Sequence, residues 1–310
     1  MKPKLSARLK GVFWALLLAA LPFTSFPLIS RLSGGTSVAP LSAVFLLILA
    51  LFFFLPDFFR RPAVPRQALP LLLFFLSALA SSALAVFLPF ESFRGAAVWR
   101  NALEGILTIG LGIAFYLVTI SVVSDKQALK TTLKWIYLGG ALAILASLAQ
   151  AACWYALGTY PAVLKNFQAL ISSSGILYKA RVTGLAFEPS WLANQLNMLY
   201  LPLWIGLSVK GYSVFRRKLF GLFSVENILM GMGLLVLFLS FSRIGWLTTL
   251  AMAAFLVFRA ANKLMNKYLD KRSLRTGRES SKLRHFFAKL GLWMSLLLVF
   301  VLILLLLGVF

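Results

Sequence analysis

Apolar residues run along this chain in long, nearly unbroken blocks, not in the alternation of strands or the narrow stripe of surface helices. Nine blocks approach the ~20 residues that a helix needs to cross a hydrocarbon layer; they lie at approximately 11–29, 40–59, 68–90, 102–123, 135–157, 184–207, 225–241, 245–263 and 291–310. They are too continuous for barrel strands, which alternate within ~10-residue segments. The pattern predicts an all-α, polytopic transmembrane bundle of about nine spans, forming a single transmembrane domain over 1–310. Gly, Pro and Ser inside several blocks fit this reading, because neighbouring helices satisfy the loosened backbone. The first block reads as a span and not a cleaved signal peptide: it is long, and no small-x-small site follows it.

Composition sharpens the picture. The 310 residues are 61% hydrophobic and only 13% charged, with a mean hydropathy of +0.90. A soluble fold of this length lacks the interior to hide so much apolar surface. Cytosolic enzyme, secreted disulfide scaffold and disordered chain are excluded. The single Cys153 permits no internal disulfide, and the single His285 argues against a multi-histidine metal site.

The net charge of +23 is mostly topological. With the N-terminus in the cytoplasm, 24 of the 31 Lys and Arg fall inside: Lys2 to Lys10, Arg60 to Arg66, Lys126 to Lys134, Lys210 to Lys218, and ten between Arg259 and Lys289. That asymmetry is the positive-inside pattern. The basic segment 259–290 suits anionic lipid head groups, and this reading is preferred over nucleic acid.

Outer positive charges run against topology, so the seven that remain are the more informative: Arg31, Arg94, Arg100, Lys165, Lys179, Arg181 and Arg243. The outer loop 158–183 mixes aromatic, serine and basic residues; it reads equally as a docking surface or as an interfacial helix. Arg181 to Gln195 is the most polar stretch within apolar sequence. Pro189 suits the first turn of a helix, which puts Glu188 at the positive helix N-terminus. Glu188, Trp191 and Gln195 then share one face, with Ser190, Asn194 and Asn197 on the next. Such a strip faces protein or water. It reads as a substrate-facing surface or as a cap with interhelical hydrogen bonds. The second polar place is Ser240-Phe241-Ser242-Arg243-Ile244-Gly245, at the tip of a tight hairpin. An arginine there needs an anion, and its planar fork suits phosphate oxygens. The rival readings are snorkelling, or an ion pair with Glu188 or Glu104. Arg100 and Glu104, spaced i, i+4, read as a simple pair. His285 falls in the cytoplasmic segment, and no phosphate-binding, dinucleotide, zinc or Ser/His/Asp motif is visible.

Arg181-Val182-Thr183-Gly184-Leu185-Ala186-Phe187-Glu188-Pro189-Ser190-Trp191-Leu192-Ala193, followed by Leu201-Pro202-Leu203 and by Ser240-Phe241-Ser242-Arg243-Ile244-Gly245-Trp246, resembles the O-antigen ligase and polymerase family of bacterial membranes. The shared elements are an R-x-x-G-x-x-x-x-P opening to one span and an S-R-G-like hairpin about two spans later, here with Ile244 between Arg243 and Gly245. The resemblance covers residues 180–260. It implies transfer or polymerisation of undecaprenyl-pyrophosphate-linked glycans onto a glycan or lipid acceptor, at the outer face of the bacterial inner membrane, with no cofactor and no metal. It maps Arg181 and Arg243 onto pyrophosphate-holding groups; Ser242, Gln195, Asn194 and Arg100 are the polar neighbours expected to support them. The family's ligases assign the base to a histidine in a large outer loop near the chain's end. No such loop precedes Phe310, so truncation before that loop is expected, and Glu188 is the substitute base within the motif. The rival classes are a transporter or flippase for an anionic or lipid-linked solute, which would reuse both arginines, and a non-catalytic assembly subunit.

Overall fold

The computed structural model describes residues 3–60, 65–86, 98–215, 223–276 and 291. Among these the chain is helix and loop, with one isolated bridge between Ser25 and Ala39 and no strand. The helices are α1 (Pro3–Ala19), α2 (Pro27–Leu32), α3 (Leu41–Arg60), α4 (Leu69–Val86), α5 (Val98–Val122), α6 (Lys126–Leu157) and α7 (Ala162–Ile171). α8 follows over 189–209, built from Pro189–Gln195, a π turn Leu196–Tyr200 and Leu201–Val209. α9 (Val225–Leu239) and α10 (Arg243–Thr276) complete the set.

Five helical stretches are long and apolar enough to cross a membrane: Leu41–Arg60, Arg66–Ala85, Trp99–Val122, Lys126–Leu157 and Arg243–Lys267. They match five of the nine expected blocks. The others differ for identifiable reasons. In the first block the helix begins earlier, at Pro3, and stops at Ala19. Pro22 and Pro27 follow; each lacks an N–H, and Pro27 instead opens α2. The block at 184–207 becomes helical only at Pro189, and Asn194, Gln195 and Asn197 dilute its apolar character. The block at 225–241 is a shorter apolar helix, Val225–Leu239. The block at 291–310 lies outside the described residues except for residue 291, as do Glu91, Arg94, Arg216 to Lys218, His285 and the basic segment beyond 276. The expected outer loop 158–183 contains α7, whose Gln168 and Ile171 are buried while Val163, Phe167 and Leu170 are exposed.

Local chemistry sets the helix ends. Asp125 caps α6 by accepting from the Ala128 N–H at 2.7 Å, and Gly158 ends it in the left-handed conformation. Ser224 caps α9 through the Asn227 N–H. α10 has 34 residues, about 51 Å at 1.5 Å per residue. That exceeds the ~30 Å hydrocarbon core, so its basic end beyond Arg259 continues as helix past the apolar part.

α6 is the central helix. Its most apolar window is 44% buried, against 17% or less in the other four candidate spans. Two glycines make this possible. A Cβ on Gly140 would lie 2.7 Å from Trp204 Cζ2 and 2.8 Å from Tyr200 Cδ1; one on Gly139 would lie 2.9 Å from the Leu18 carbonyl oxygen. Small residues let helices approach where lipid supplies no hydrophobic drive between them. One apolar cluster joins α6, α8 and α9 around Tyr200, Leu201 and Trp204, and another joins α1, α3 and α5 around Leu17, Leu18 and Leu49. Trp14 links α1 to α6 by donating to Thr132 Oγ1 at 2.9 Å. At one end, fully buried Glu226 accepts from Tyr137 (3.1 Å), Ser213 (2.8 Å) and the Val214 N–H (2.9 Å), tying the turn after α8 to α9. The opposite end gathers the 20–40 loop, the 158–188 segment and the 240–242 turn.

Gly140→Ala should lower stability by about 1–3 kcal/mol, since its methyl has no room beside two buried rings. Gly112→Ala, with nothing within 4 Å, should be neutral. Unfolding midpoints in mixed micelles test the pair; equal midpoints would contradict the tight α6–α8 approach.

Candidate functional site

The site starts from an amide in α6. Gln150 is buried, and its Oε1 accepts from the backbone N–H groups of Thr183 (2.8 Å) and Gly184 (2.9 Å) and from the Thr183 hydroxyl (3.3 Å). Its Nε2 donates to the Gly184 carbonyl (2.9 Å) and to Gln168 Oε1 of α7 (3.2 Å). The turn it grips requires glycine. Gly184 has φ +57°, and a Cβ there would lie 2.6 Å from Ser147 Oγ.

That turn delivers Arg181 to the α9–α10 hairpin. The Val182 N–H donates to the Leu239 carbonyl at 3.1 Å, and Arg181 Nε donates to the Ser240 carbonyl at 3.1 Å. The Arg181 guanidinium carbon lies 5.9 Å from the centre of the Tyr178 ring. No other hydrogen bond engages the guanidinium among the described residues, so its terminal nitrogens keep donor capacity.

The hairpin is made by its serines. The Ser240 hydroxyl donates to the Leu237 carbonyl and accepts from the Ser242 N–H, while Phe241 takes φ +46° at the tip. Ser242 is buried, and its hydroxyl accepts from the Gly245 N–H at 3.2 Å, capping α10. Gly245 lies so close to α8 that its Cβ would meet Ala193 Cβ at 2.6 Å. Asn197 locks the contact, donating to the Gly245 carbonyl at 2.8 Å and accepting from Thr249 at 2.7 Å. Arg243, the first residue of α10, is exposed, and its side chain has no hydrogen bond or ion pair among the described residues.

The expected partners of Arg243 are engaged elsewhere. Glu104 pairs with Arg100 at 3.3 Å, as their spacing implied, and no hydrogen bond joins Arg100 to the hairpin. Glu188 is the half-buried N-cap residue of α8. Its carbonyl accepts from the Trp191 and Leu192 N–H groups, and its carboxylate accepts from the Ser190 hydroxyl. Gln195 donates to the Leu21 carbonyl at 2.7 Å, and its Oε1 is buried without a partner. The expected face of Ser190, Asn194 and Asn197 is divided. Asn194 is exposed while Asn197 is buried, because α10 packs against α8 at Ala193 and Asn197 and leaves Asn194 outside the contact.

Sequence reasoning missed Gln150, Gln168 and Glu226. The signal was present for Gln150: a lone amide inside an apolar span needs an internal partner. It also missed the stitching of the 20–27 loop, in which Thr24 Oγ1 accepts from the Phe187 N–H at 2.9 Å and the Ser25 carbonyl from the Ser173 N–H at 2.8 Å. The paired Ser25 and Ser173 hydroxyls add to this seam.

No protein-family model matches this chain, and comparison with curated proteins and with solved structures gave no significant match.

Gln150→Leu removes five hydrogen bonds and leaves buried backbone groups unsatisfied. It should cost about 2–4 kcal/mol. Hydrogen exchange over residues 178–188 should accelerate, while exchange in α9 stays unchanged; unaltered exchange at 178–188 would contradict the clamp.

Proposed function

We propose that this chain is a multi-pass protein of the bacterial inner membrane, with about nine spans and a cytoplasmic N-terminus, that transfers or polymerises glycans carried on undecaprenyl pyrophosphate. The observation that carries the reading is the bond from Arg181 Nε to the Ser240 carbonyl, which anchors one arginine three residues before the other. The Arg181 guanidinium is thereby held at the turn that leads into Arg243, and neither side chain meets a carboxylate among the described residues. An unpaired cation at the edge of an apolar bundle is expensive, and a visiting anion relieves it. Arg243 also opens a helix, where the dipole adds positive field.

The chemistry follows from that field. An acceptor hydroxyl attacks the anomeric carbon of the donor sugar. The new C–O bond forms as the bond from that carbon to the pyrophosphate oxygen breaks. The leaving pyrophosphate keeps the electron pair and gains charge, and the two arginines hold that charge through planar forks. The hydroxyl proton passes to Glu188, the carboxylate at the N-terminus of α8. Gln195, Ser242 and Asn194 lie on α8 and the hairpin; Ser242 caps α10, and Gln195 ties α8 to the Leu21 carbonyl.

Arg243→Ala should lower glycan transfer about 100- to 1,000-fold, the cost of removing one preorganised group from developing charge. Membrane insertion and the Gln150 clamp should persist. Arg181→Lys should fall between the variant and the parent, because lysine lacks the Nε–H that reaches Ser240. Transfer from a lipid-pyrophosphate donor in reconstituted vesicles measures both; full activity in Arg243→Ala would refute the assignment.

A further inference from the structure

A second polar feature lies beside this unit and takes no part in the chemistry above. A cavity of about 560 Å³ opens between α2 with the 33–37 turn on one side and the end of α7 with the 172–176 turn on the other. Phe187, the residue before Glu188, forms part of its wall. The volume falls within the range of about 300–1,000 Å³ typical of small-molecule sites. Its chemistry is one-sided. Arg31 is exposed, and its guanidinium has no hydrogen bond or ion pair among the described residues. Ser30, Ser37, Ser172, Ser173 and Ser174 line the same cavity, and no carboxylate does. Hydroxyls already donating inside the protein keep lone pairs for a ligand: Ser30 donates to the Thr36 carbonyl at 2.6 Å, and Ser172 and Ser174 share a bond at 3.1 Å. Ser37 makes no bond at all among the described residues.

The walls are also held firmly. Ser174 donates to the Phe187 carbonyl at 2.9 Å, and the hydrogen bonds to Ser25 hold Ser173 of the wall. Both flanking helices are amphipathic, with Leu28 and Leu32 exposed on α2 and Val163, Phe167 and Leu170 exposed on α7. Apolar rows of that kind favour the membrane interface, the level at which a lipid-linked saccharide presents its sugars.

We propose that this cavity binds an anionic saccharide, with Arg31 pairing a phosphate or carboxylate on the sugar and the serines meeting its hydroxyls. Resting on the transferase reading, the structure assigns it to the acceptor. The chain from the cavity wall at Phe187 passes directly into Glu188, and the hairpin packs farther along α8, at Ala193 and Asn197. An acceptor seated in the cavity is therefore adjacent in the chain to the proposed base, on the side away from the hairpin contacts.

The test uses the full chain in lipid nanodiscs in the Arg243→Ala background, so that the hairpin contributes little. Glucose 1-phosphate, glucuronate, glucose and inorganic phosphate are titrated separately by saturation-transfer NMR. The two sugar anions should bind at least tenfold more tightly than glucose and more tightly than inorganic phosphate. Adding Arg31→Ala should erase the preference over glucose, and Ser37→Trp, which fills the cavity, should weaken all the sugars. Whichever of glucose 1-phosphate and glucuronate binds more tightly identifies the anion. Unchanged affinities in both added variants, or inorganic phosphate binding as well as the sugar anions, would overturn the site. In transfer assays on the parent chain, Arg31→Ala should raise the acceptor KM about tenfold and leave the donor KM alone; an equal rise in donor KM would overturn the acceptor assignment. If Arg31 variants lose saccharide binding while Arg243→Ala transfers normally, the saccharide site stands and the transferase reading falls.

Discussion

One amide organises this end of the molecule. A glutamine in an apolar helix has four hydrogen-bonding positions and no water to satisfy them, so it must find partners in the chain. Gln150 finds them in the Thr183–Gly184 turn and in Gln168. That choice fixes where the 181–188 segment lies, and everything polar nearby follows. Arg181 reaches Ser240 because Val182 is pinned to Leu239 next to the clamped turn. Phe187 reaches Thr24 at the other end of the same segment. The satisfaction of a single buried side chain therefore couples the hairpin, the first connecting loop and the start of α8.

Apolar continuity was the legible part of the fold. Leu41–Arg60 and Trp99–Val122 could be read with errors of a few residues, because the helix runs through both, and in the first it absorbs Pro56 with a π turn at Ala50–Phe54. The reading failed where polar groups or proline intervened. Residues 184–188 are apolar by average yet non-helical, since Gly184 adopts a left-handed turn that Gln150 rewards. The first helix ends at Ala19 although the apolar block runs on, because Pro22 and Pro27 withhold N–H donors. A hydropathy average registers none of these local hydrogen-bond constraints.

The site was legible in residue type and less so in role. Arg181, Glu188, Ser242, Asn197 and Gln195 were visible as polar residues where polarity is costly. What each one does depended on partners far away in sequence. Ser242 is a helix cap, Asn197 a latch between α8 and α10, and Gln195 a tie to the Leu21 carbonyl. The close approach of α10 at Gly245 could not be read from spacing, and it buries Asn197 while Asn194 stays exposed. Gln150 carried a signal of its own, a solitary amide among alanines, which weighed less than the longer polar run downstream.

The distribution of acids explains why cations at this end lack carboxylate partners among the described residues. The chain has only eight Asp and Glu against 31 Lys and Arg. Of the acids described, Glu226 is consumed by Tyr137, Ser213 and Val214, Asp125 by a helix cap, and Glu104 by Arg100. Glu188 alone among the acids sits on the 181–197 unit, and it is held by Ser190. Among the described residues, Arg31, Arg181 and Arg243 therefore outnumber the carboxylates at this end. Lipid phosphate can neutralise a side chain that snorkels to the surface. It does not require a guanidinium tethered by its Nε to a buried serine's carbonyl, as Arg181 is. A tether of that kind fixes where the guanidinium sits, which is what the proposed pyrophosphate contact requires.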